Sequence, residues 1–239
     1  MSDAPRLLLL STSTVFGSGY LEYAEAEMRS FLGGHSTVLF VPFALHDHDA
    51  YAAKVRTAFE RMGYKLDSLH EATDQPQAIE AAEALFIGGG NTFRLLKSLH
   101  DHDLLGAIRQ RVAAGMPYLG SSAGSNVAAP TIRTTNDMPI VEPPSFEALG
   151  LLPFQINPHY LDPEPGSRHM GETREERIVQ FLEENATAVL GLREGAILRV
   201  EGSSGRLLGP AGARLFQRGQ EPLELAAGSV LDDLLAKRV

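Results

Sequence analysis

Three serines lie in one loop of small residues, 117–130 (PYLGSSAGSNVAAP), and one of them has the spacing of a nucleophile. Only Ser122 has a glycine two positions away on each side, which completes the pattern G-x-S-x-G. In serine hydrolases this pattern forms a nucleophile elbow, a tight turn between a strand and a helix that exposes the serine hydroxyl. A short strand is predicted to end at Gly120, and a short helix is predicted from Gly124 to Pro130. The pattern therefore predicts a catalytic Ser122.

A second glycine-rich loop, in residues 86–93 (FIGGGNTF), follows another predicted strand. Carboxyl ends of parallel strands meet at one edge of a sheet, so an amide of Gly89 or Gly90 is predicted to join that of Ala123 in stabilising an oxyanion. Asn91 is predicted to begin the next helix and to contact the substrate. A nucleotide site is the weaker alternative, because neither G-x-G-x-x-G nor a P-loop lysine is present.

A serine nucleophile requires a base, usually a histidine that is oriented by a carboxylate. Among eight histidines, His159 in QINPHY follows an apolar run beside a proline, although a purely structural histidine fits there equally well. Two acids are candidates for the third position: Asp137 in TTNDMPI and Glu194 in GLREGA. Triads are defined by geometry and not by chain order, so the residues alone leave both open.

The string LHDHD occurs twice, at residues 45–49 and 99–103, and raises the question of a metal site. Nothing in the sequence fixes the two copies next to each other, and such residues are common in solvated loops and helix caps. No metal site is therefore predicted.

Apolar strand-like segments alternate with helical patterns along the first half of the chain. This alternation predicts an α/β fold with a mostly parallel sheet and helices on both faces. After residue 131 the chain is rich in loops and prolines, apart from one helix and a small antiparallel extension near the C-terminus. One domain, 1–239, is predicted. The predicted strands are 6–12, 37–43, 64–69, 84–87, 117–120 and 188–192, with short ones at 196–200, 206–208, 213–217 and 223–225; the helices are 20–32, 50–61, 78–84, 93–99, 104–114 and 174–184.

The composition excludes several classes of function. The chain of 239 residues has a formal net charge of −9, which disfavours nucleic-acid and membrane-surface partners. It has no cysteine, so disulfides, thiolate metal sites and a cysteine nucleophile are excluded, and a reducing cytoplasm is the expected location. The apolar run at residues 7–10 is too short for a transmembrane helix and reads as a buried strand.

Six segments together resemble peptidase E, the α-aspartyl dipeptidase family, in order and spacing: IGGGNTF, GSSAGSN, TIRTTNDMPIV, INPHY, GETREER and GLREG. The resemblance implies a serine variant of the class I glutamine amidotransferase-like fold, with a flavodoxin-like sheet. It also implies cleavage of dipeptides that begin with aspartate, with no metal or organic cofactor. The expected partner is then a small acidic dipeptide, and the expected state is a monomer or a homodimer.

By motif, the resemblance implies Ser122 as nucleophile and His159 as base, with either Glu194 or Asp137 as the orienting acid and Glu194 preferred. Arg174, in GETREER, would hold the aspartate side chain of the substrate, as a guanidinium binds a carboxylate through two parallel hydrogen bonds. The alternative for this arginine is a surface ion pair with a neighbouring glutamate of its helix.

One departure from the family pattern is the residue before the nucleophile, Ser121, where the relatives have tryptophan. This change is expected to widen the site or to alter the preference for the second residue of the dipeptide. Two other functions stay open: a cyanophycinase-like hydrolase of β-Asp-Arg links, and a non-catalytic amidotransferase-like module that binds a ligand.

Overall fold

A computed structural model describes residues 5–163, 166 and 170–236 of the chain. The strands are β1 (Arg6–Leu10), β2 (Thr37–Val41), β3 (Lys65–Ser68), β4 (Leu85–Ile87), β5 (Tyr118–Ser121), β6 (Gln155–Tyr160), β7 (Val189–Arg193), β8 (Ile197–Glu201), β9 (Ser204–Leu208), β10 (Ala213–Phe216) and β11 (Leu223–Leu225). The helices are α1 (Glu25–Leu32), α2 (His48–Arg61), α3 (Gln75–Ala81), α4 (Thr92–Asp101), α5 (Leu104–Ala113), α6 (Ala123–Asn126), α7 (Arg174–Glu184) and α8 (Asp232–Leu235), with 3₁₀ turns at Glu22–Ala24 and Leu69–Glu71.

The main sheet has seven strands in the order β3-β2-β4-β5-β1-β8-β9. Its first five strands are parallel, and β8 and β9 add to the edge in antiparallel fashion. The central strand β1 is buried on both faces, which explains its unbroken run of leucines. Leu7 and Leu9 pack with α4 and α5 on one face, whereas Leu8 and Leu10 pack with α1 and α2 on the other. The predicted fold class is confirmed.

A second sheet has four strands in the order β11-β10-β7-β6. Strands β6 and β7 are parallel, and β10 and β11 continue the sheet in antiparallel fashion. Helix α7 covers it through Ile178 and Leu182, which pack with Tyr160, Val189 and Phe216. The antiparallel C-terminal strands are thus divided between two sheets, and residues 155 and 156, predicted as loop, begin strand β6.

The two sheets share one core. The largest hydrophobic cluster contains Leu9 of β1, Ile156 of β6 and Leu192 of β7, all fully buried. Among the residues described above, no helix has both the length and the apolar character needed to cross a membrane. The shared core fixes the carboxyl ends of β1, β4 and β5 relative to β6 and β7.

Candidate active site

Ser122 lies on a strained turn between β5 and α6. Its backbone has φ +53° and ψ −108°, and its N–H donates to the Leu10 carbonyl at 3.0 Å. A side chain on Gly120 would place Cβ 2.5 Å from the Gly124 oxygen, and one on Gly124 would place Cβ 2.0 Å from the Ile87 oxygen. Both glycines of the G-x-S-x-G pattern are therefore required by close backbone approach, as in a nucleophile elbow.

The imidazole of His159 lies between the Ser122 hydroxyl and a carboxylate. Its Nε2 is 3.0 Å from Ser122 Oγ, and its Nδ1 is 2.8 Å from Glu194 Oε1. With Nδ1–H donating to Glu194, Nε2 is left as an acceptor for the serine proton. Of the two acids that the sequence left open, Glu194 is the one that contacts His159.

Asp137 occupies a different position. Its Oδ2 accepts hydrogen bonds from the Thr92 N–H at 2.7 Å and from Thr92 Oγ1 at 2.6 Å. Thr92 is the first residue of α4, so the carboxylate satisfies a donor at a helix N-terminus, where negative charge is favoured. In the described part of the chain Asp137 makes no hydrogen bond to His159, which does not match a role as its orienting acid.

The glycine loop after β4 lies against the nucleophile. A Cβ on Gly89 would be 3.0 Å from Ser122 Cβ and 3.6 Å from its Oγ, so only glycine leaves this approach open. Across the described residues, the N–H groups of Gly89, Gly90 and Ala123 donate to no protein acceptor. Unpaired amides beside a serine hydroxyl are suited to an oxyanion.

Asn91 caps helix α4, as predicted, but its side chain is already engaged. Its Oδ1 accepts from the Arg94 N–H at 3.0 Å, and its Nδ2 donates to the Met138 carbonyl at 2.9 Å. These bonds join the glycine loop to the loop that carries Asp137. The structure thus gives Asn91 a bracing position between these two loops, and its contact with substrate stays a prediction.

Arg174 begins helix α7, directly after a capping box formed by Thr173 and Glu176. Its side chain is half-buried, and burial, together with the positive charge of Arg177, lowers the pKa of Arg174, whereas the negative charge of Asp137 acts in the opposite sense.

The alternative for Arg174, an ion pair within its own helix, is not formed. Glu175 pairs with Arg214 at 2.8 Å, and Glu176 bonds to Thr173. No carboxylate of the described residues lies within 4.0 Å of the Arg174 guanidinium.

The two LHDHD segments approach each other in the structure. The rings of His48 and His102 both contact Phe43, with centroid distances of 5.4 and 5.5 Å. The described residues contain no group of three or more side chains suited to a metal ion.

Two further residues support the site and were not singled out in the sequence. The Tyr51 hydroxyl donates to the Gly89 carbonyl at 3.0 Å, and the Ser11 hydroxyl accepts from the His159 N–H at 2.9 Å. Neither belongs to a local motif. For Ser11, its position at the end of a buried strand could have indicated that it lies at the same edge of the sheet as Ser122.

Comparison with known proteins identifies the family of the chain. Residues 7–208 match the model of Peptidase family S51. The chain belongs to peptidase family S51. It is 57% identical over 232 residues to Peptidase E of Streptomyces coelicolor, a match that covers 97% of this chain and 96% of that protein. It is 52% identical over 240 residues to a Drosophila melanogaster protein named "Probable alpha-aspartyl dipeptidase", with 99% and 100% coverage. The predicted relation to peptidase E, and the prediction of a serine peptidase, are confirmed.

Solved structures support the fold of this S51 peptidase. A peptidase from an acI-B1 Actinobacterium superposes with a TM-score of 0.71 at 17% identity, covering 95% of this chain and 96% of the other. A Listeria monocytogenes protein named "Putative Peptidase E Protein" superposes with a TM-score of 0.63 at 20% identity, with 94% and 100% coverage. At these identities the likeness concerns the fold alone.

Proposed function

We propose that this S51 peptidase hydrolyses dipeptides with an N-terminal L-aspartate through an acyl-enzyme on Ser122. The observation that carries the proposal is the continuous chain from Ser122 Oγ to His159 Nε2, at 3.0 Å, and from His159 Nδ1 to Glu194, at 2.8 Å. The names of the similar proteins, Peptidase E and alpha-aspartyl dipeptidase, support the substrate class.

In the first half of the reaction, His159 takes the proton of Ser122 as the serine oxygen attacks the carbonyl carbon of the aspartyl residue. Glu194 holds the imidazole in the required tautomer and stabilises the imidazolium. The N–H groups of Ala123 and of Gly89 or Gly90 stabilise the tetrahedral oxyanion. His159 then donates its proton to the leaving amine, and the peptide bond breaks to give the aspartyl ester.

In the second half, His159 accepts a proton from water, and the resulting hydroxide attacks the ester. Collapse of the second tetrahedral intermediate returns the proton to Ser122 and releases aspartate. All of these steps use protein groups, and we infer that the enzyme needs no metal or organic cofactor.

Arg174 is proposed to bind the side-chain carboxylate of the substrate's aspartate. Its half-buried guanidinium has no carboxylate partner in the described chain, and it can form two parallel hydrogen bonds to one. A substrate with a neutral first residue would leave this cation unpaired, which predicts strong discrimination. We assign Asp137 and Asn91 to the wall that supports this subsite and the glycine loop.

We further propose that the chain acts as one domain on small acidic dipeptides in the cytoplasm, as a monomer or homodimer. The shared hydrophobic core supports the single domain. The absence of cysteine from the sequence and its net charge of −9 support the location and the exclusion of nucleic acids.

The decisive experiment measures hydrolysis of Asp-Leu, Glu-Leu, Ala-Leu and β-Asp-Arg by the wild type and by Ser122→Ala. The wild type should prefer Asp-Leu, and Ser122→Ala should lose about 10⁴-fold or more in kcat. Ser98→Ala, in α4, is the matched control and should retain wild-type activity.

Each contrary result rejects a different part of the proposal. Activity that survives Ser122→Ala rejects the nucleophile. Equal rates for Ala-Leu and Asp-Leu reject the role of Arg174. Preferred cleavage of β-Asp-Arg favours the cyanophycinase-like alternative over the dipeptidase.

A further inference from the structure

Ser11 lies immediately after β1, fully buried, at the junction of the two sheets. Its hydroxyl accepts a hydrogen bond from the His159 N–H at 2.9 Å and donates one to the Leu192 carbonyl at 2.8 Å. Its own N–H donates to the Ala196 carbonyl at 3.0 Å. A serine hydroxyl has one proton to donate, so these bonds fix its orientation.

The Ser11 hydroxyl provides hydrogen bonds where the pairing of β6 with β7 is interrupted. The two strands pair at Asn157 with Gly191 and next at Tyr160 with Arg193, with a register shift between them. Two residues of β6 therefore oppose only Leu192 of β7, as in a β-bulge.

The first of the two bulged residues is Pro158, which has no N–H to donate, and the second is His159, which has φ +53°. The Ser11 hydroxyl bridges the N–H of His159 and the C=O of Leu192 across this interruption. A non-glycine residue at positive φ is strained, and it persists only where its surroundings fix it.

The same end of β1 also fixes the nucleophile. The Leu10 carbonyl accepts from the Ser122 N–H at 3.0 Å. Leu192 precedes Glu194 by two positions and Ala196 follows it by two, so Ser11 holds the chain on both sides of that carboxylate. The Leu10–Ser11 segment thus contacts the backbone beside all three members of the Ser122–His159–Glu194 chain.

We propose that Ser11 is a positioning residue, whose hydroxyl sets the imidazole of His159 in line with Ser122. This role rests on the proposed function of Ser122 and His159. Ser11 acts through the backbone and does not contact substrate. Its loss should therefore lower kcat and leave binding of the aspartyl group at Arg174 intact.

The test compares wild type, Ser11→Ala and Ser11→Thr on Asp-Leu. We expect Ser11→Ala to lower kcat at least about tenfold with KM within about twofold, because a small error in the position of a general base is costly. Ser11→Thr keeps the hydroxyl and should recover most of the lost kcat. The rate of Ser122 labelling by a serine-directed phosphonate should fall in parallel with kcat.

Thr134→Val is the matched control, since it removes another buried hydroxyl that bonds to β6, through the Ile156 carbonyl at 2.8 Å. It should lower the thermal midpoint about as much as Ser11→Ala while keeping kcat near the wild-type value. An equal loss of kcat in Thr134→Val would overturn the proposal, because any buried hydroxyl would then have the same effect.

A Ser11→Ala protein with wild-type kcat and labelling rate also overturns the proposal. If Ser11→Ala does not accumulate in folded form, Ser11→Cys replaces it, since a thiol fills the space but hydrogen-bonds weakly. A wild-type kcat in Ser11→Cys would then overturn the proposal. The labelling rate is measured without a dipeptide. If Asp-Leu proves not to be a substrate, the labelling rate therefore still tests the role of Ser11, and the two proposals can be judged separately.

Discussion

The two halves of the candidate site are held by different forces. The nucleophile elbow at Ser122 is enclosed, and its glycines leave no space for even one methyl group. The β6–β7 pair holds His159 near the end of β6 and Glu194 just after β7, and these two side chains are 36% and 53% exposed. Steric fit therefore fixes the nucleophile, whereas a few hydrogen bonds and ion pairs fix the base and its carboxylate.

Arg193 provides the main electrostatic support of the β6–β7 pair. Its guanidinium binds Asp162 through two hydrogen bonds of 2.6 and 2.8 Å and Glu224 through two of 2.5 and 2.8 Å. These contacts tie the end of β7, next to Glu194, to the chain after β6 and to β11. The difference between the halves predicts that added volume should damage the elbow, and that loss of polar atoms should damage the β6–β7 pair.

The largest effect is expected at the elbow, from Gly124→Ala. The new Cβ would lie 2.0 Å from the Ile87 oxygen, and relief of that clash must displace the turn that carries Ser122. A displacement of this size should lower kcat/KM by more than about 100-fold. The check is steady-state hydrolysis of Asp-Leu together with circular dichroism.

Gly106→Ala is the control for this change, because a Cβ at that position in α5 meets nothing within 4 Å. It should retain full activity and gain up to about 1 kcal/mol of stability. Wild-type activity in Gly124→Ala would mean that steric fit does not fix the nucleophile.

A smaller effect is expected from Glu194→Gln, which removes the charge that stabilises the imidazolium. We expect kcat to fall about 100-fold, less than in a fully buried triad, because solvent reaches this carboxylate. Phosphonate labelling of Ser122 should slow as well.

Asp137→Asn is the matched substitution at the other acid. It should leave the labelling rate of Ser122 near the wild-type value and raise the KM for Asp-Leu, because Asp137 anchors Thr92 and its charge acts on Arg174. The reverse pattern, with slow labelling only in Asp137→Asn, would assign the orienting acid to Asp137.

Arg174→Met should lower the selectivity of the enzyme for a first residue with a negatively charged side chain. Without the guanidinium, the ratio of kcat/KM for Asp-Leu over Asn-Leu should fall about 10- to 100-fold, the usual value of a charge-assisted hydrogen-bond pair. Labelling of Ser122 should not change. A variant that keeps the wild-type selectivity would place the aspartate-binding group elsewhere.

The smallest effect is expected from the ion pairs of the β6–β7 pair. The hydrogen bonds from Arg193 lower the pKa of Asp162 below its ordinary value. The Arg193–Asp162 ion pair therefore stabilises the fold at pH values above the ordinary pKa of an aspartate, which is about 4. Its contribution is lost as the pH falls through the lower pKa that Asp162 has in the folded state. Asp162→Asn should be slightly less stable than wild type at pH 7, by less than about 1 kcal/mol because the pair is solvent-exposed.

This difference between Asp162→Asn and wild type should shrink in thermal melts as the pH is lowered from 7 to about 3, below the ordinary pKa of an aspartate. A difference that is the same at both pH values would show that the charge of Asp162 does not support the β6–β7 pair.

Local patterns were enough to predict the elbow and the main sheet. Gly120, Ser122 and Gly124 are close in sequence, so their spacing is visible as a local motif even though Gly124 packs against Ile87 of β4. The continuous apolar sequences of β1, β2 and β4 likewise predict a parallel sheet, because both faces of such strands are buried and must be apolar.

The β6–β7 pair could not be predicted in the same way. QINPHY contains a proline and begins in a segment predicted as loop, yet it forms β6 through His159, with a bulge that is bridged by a distant hydroxyl. The hydrogen bond from the Asn91 side chain to the Met138 carbonyl could not be predicted for a related reason, because the two residues lie 47 positions apart.

The sequence by itself was enough to predict the elbow at Ser122, the glycine loop after β4 and the α/β architecture, because each pattern lies in residues only a few positions apart. The tertiary structure alone decided that Glu194 and not Asp137 contacts His159, and that Ser11 joins the two sheets across 181 positions to Leu192. The physical reason is that hydrogen bonds are short and directional. Which partners meet is settled only when packing of the shared core brings distant strands together.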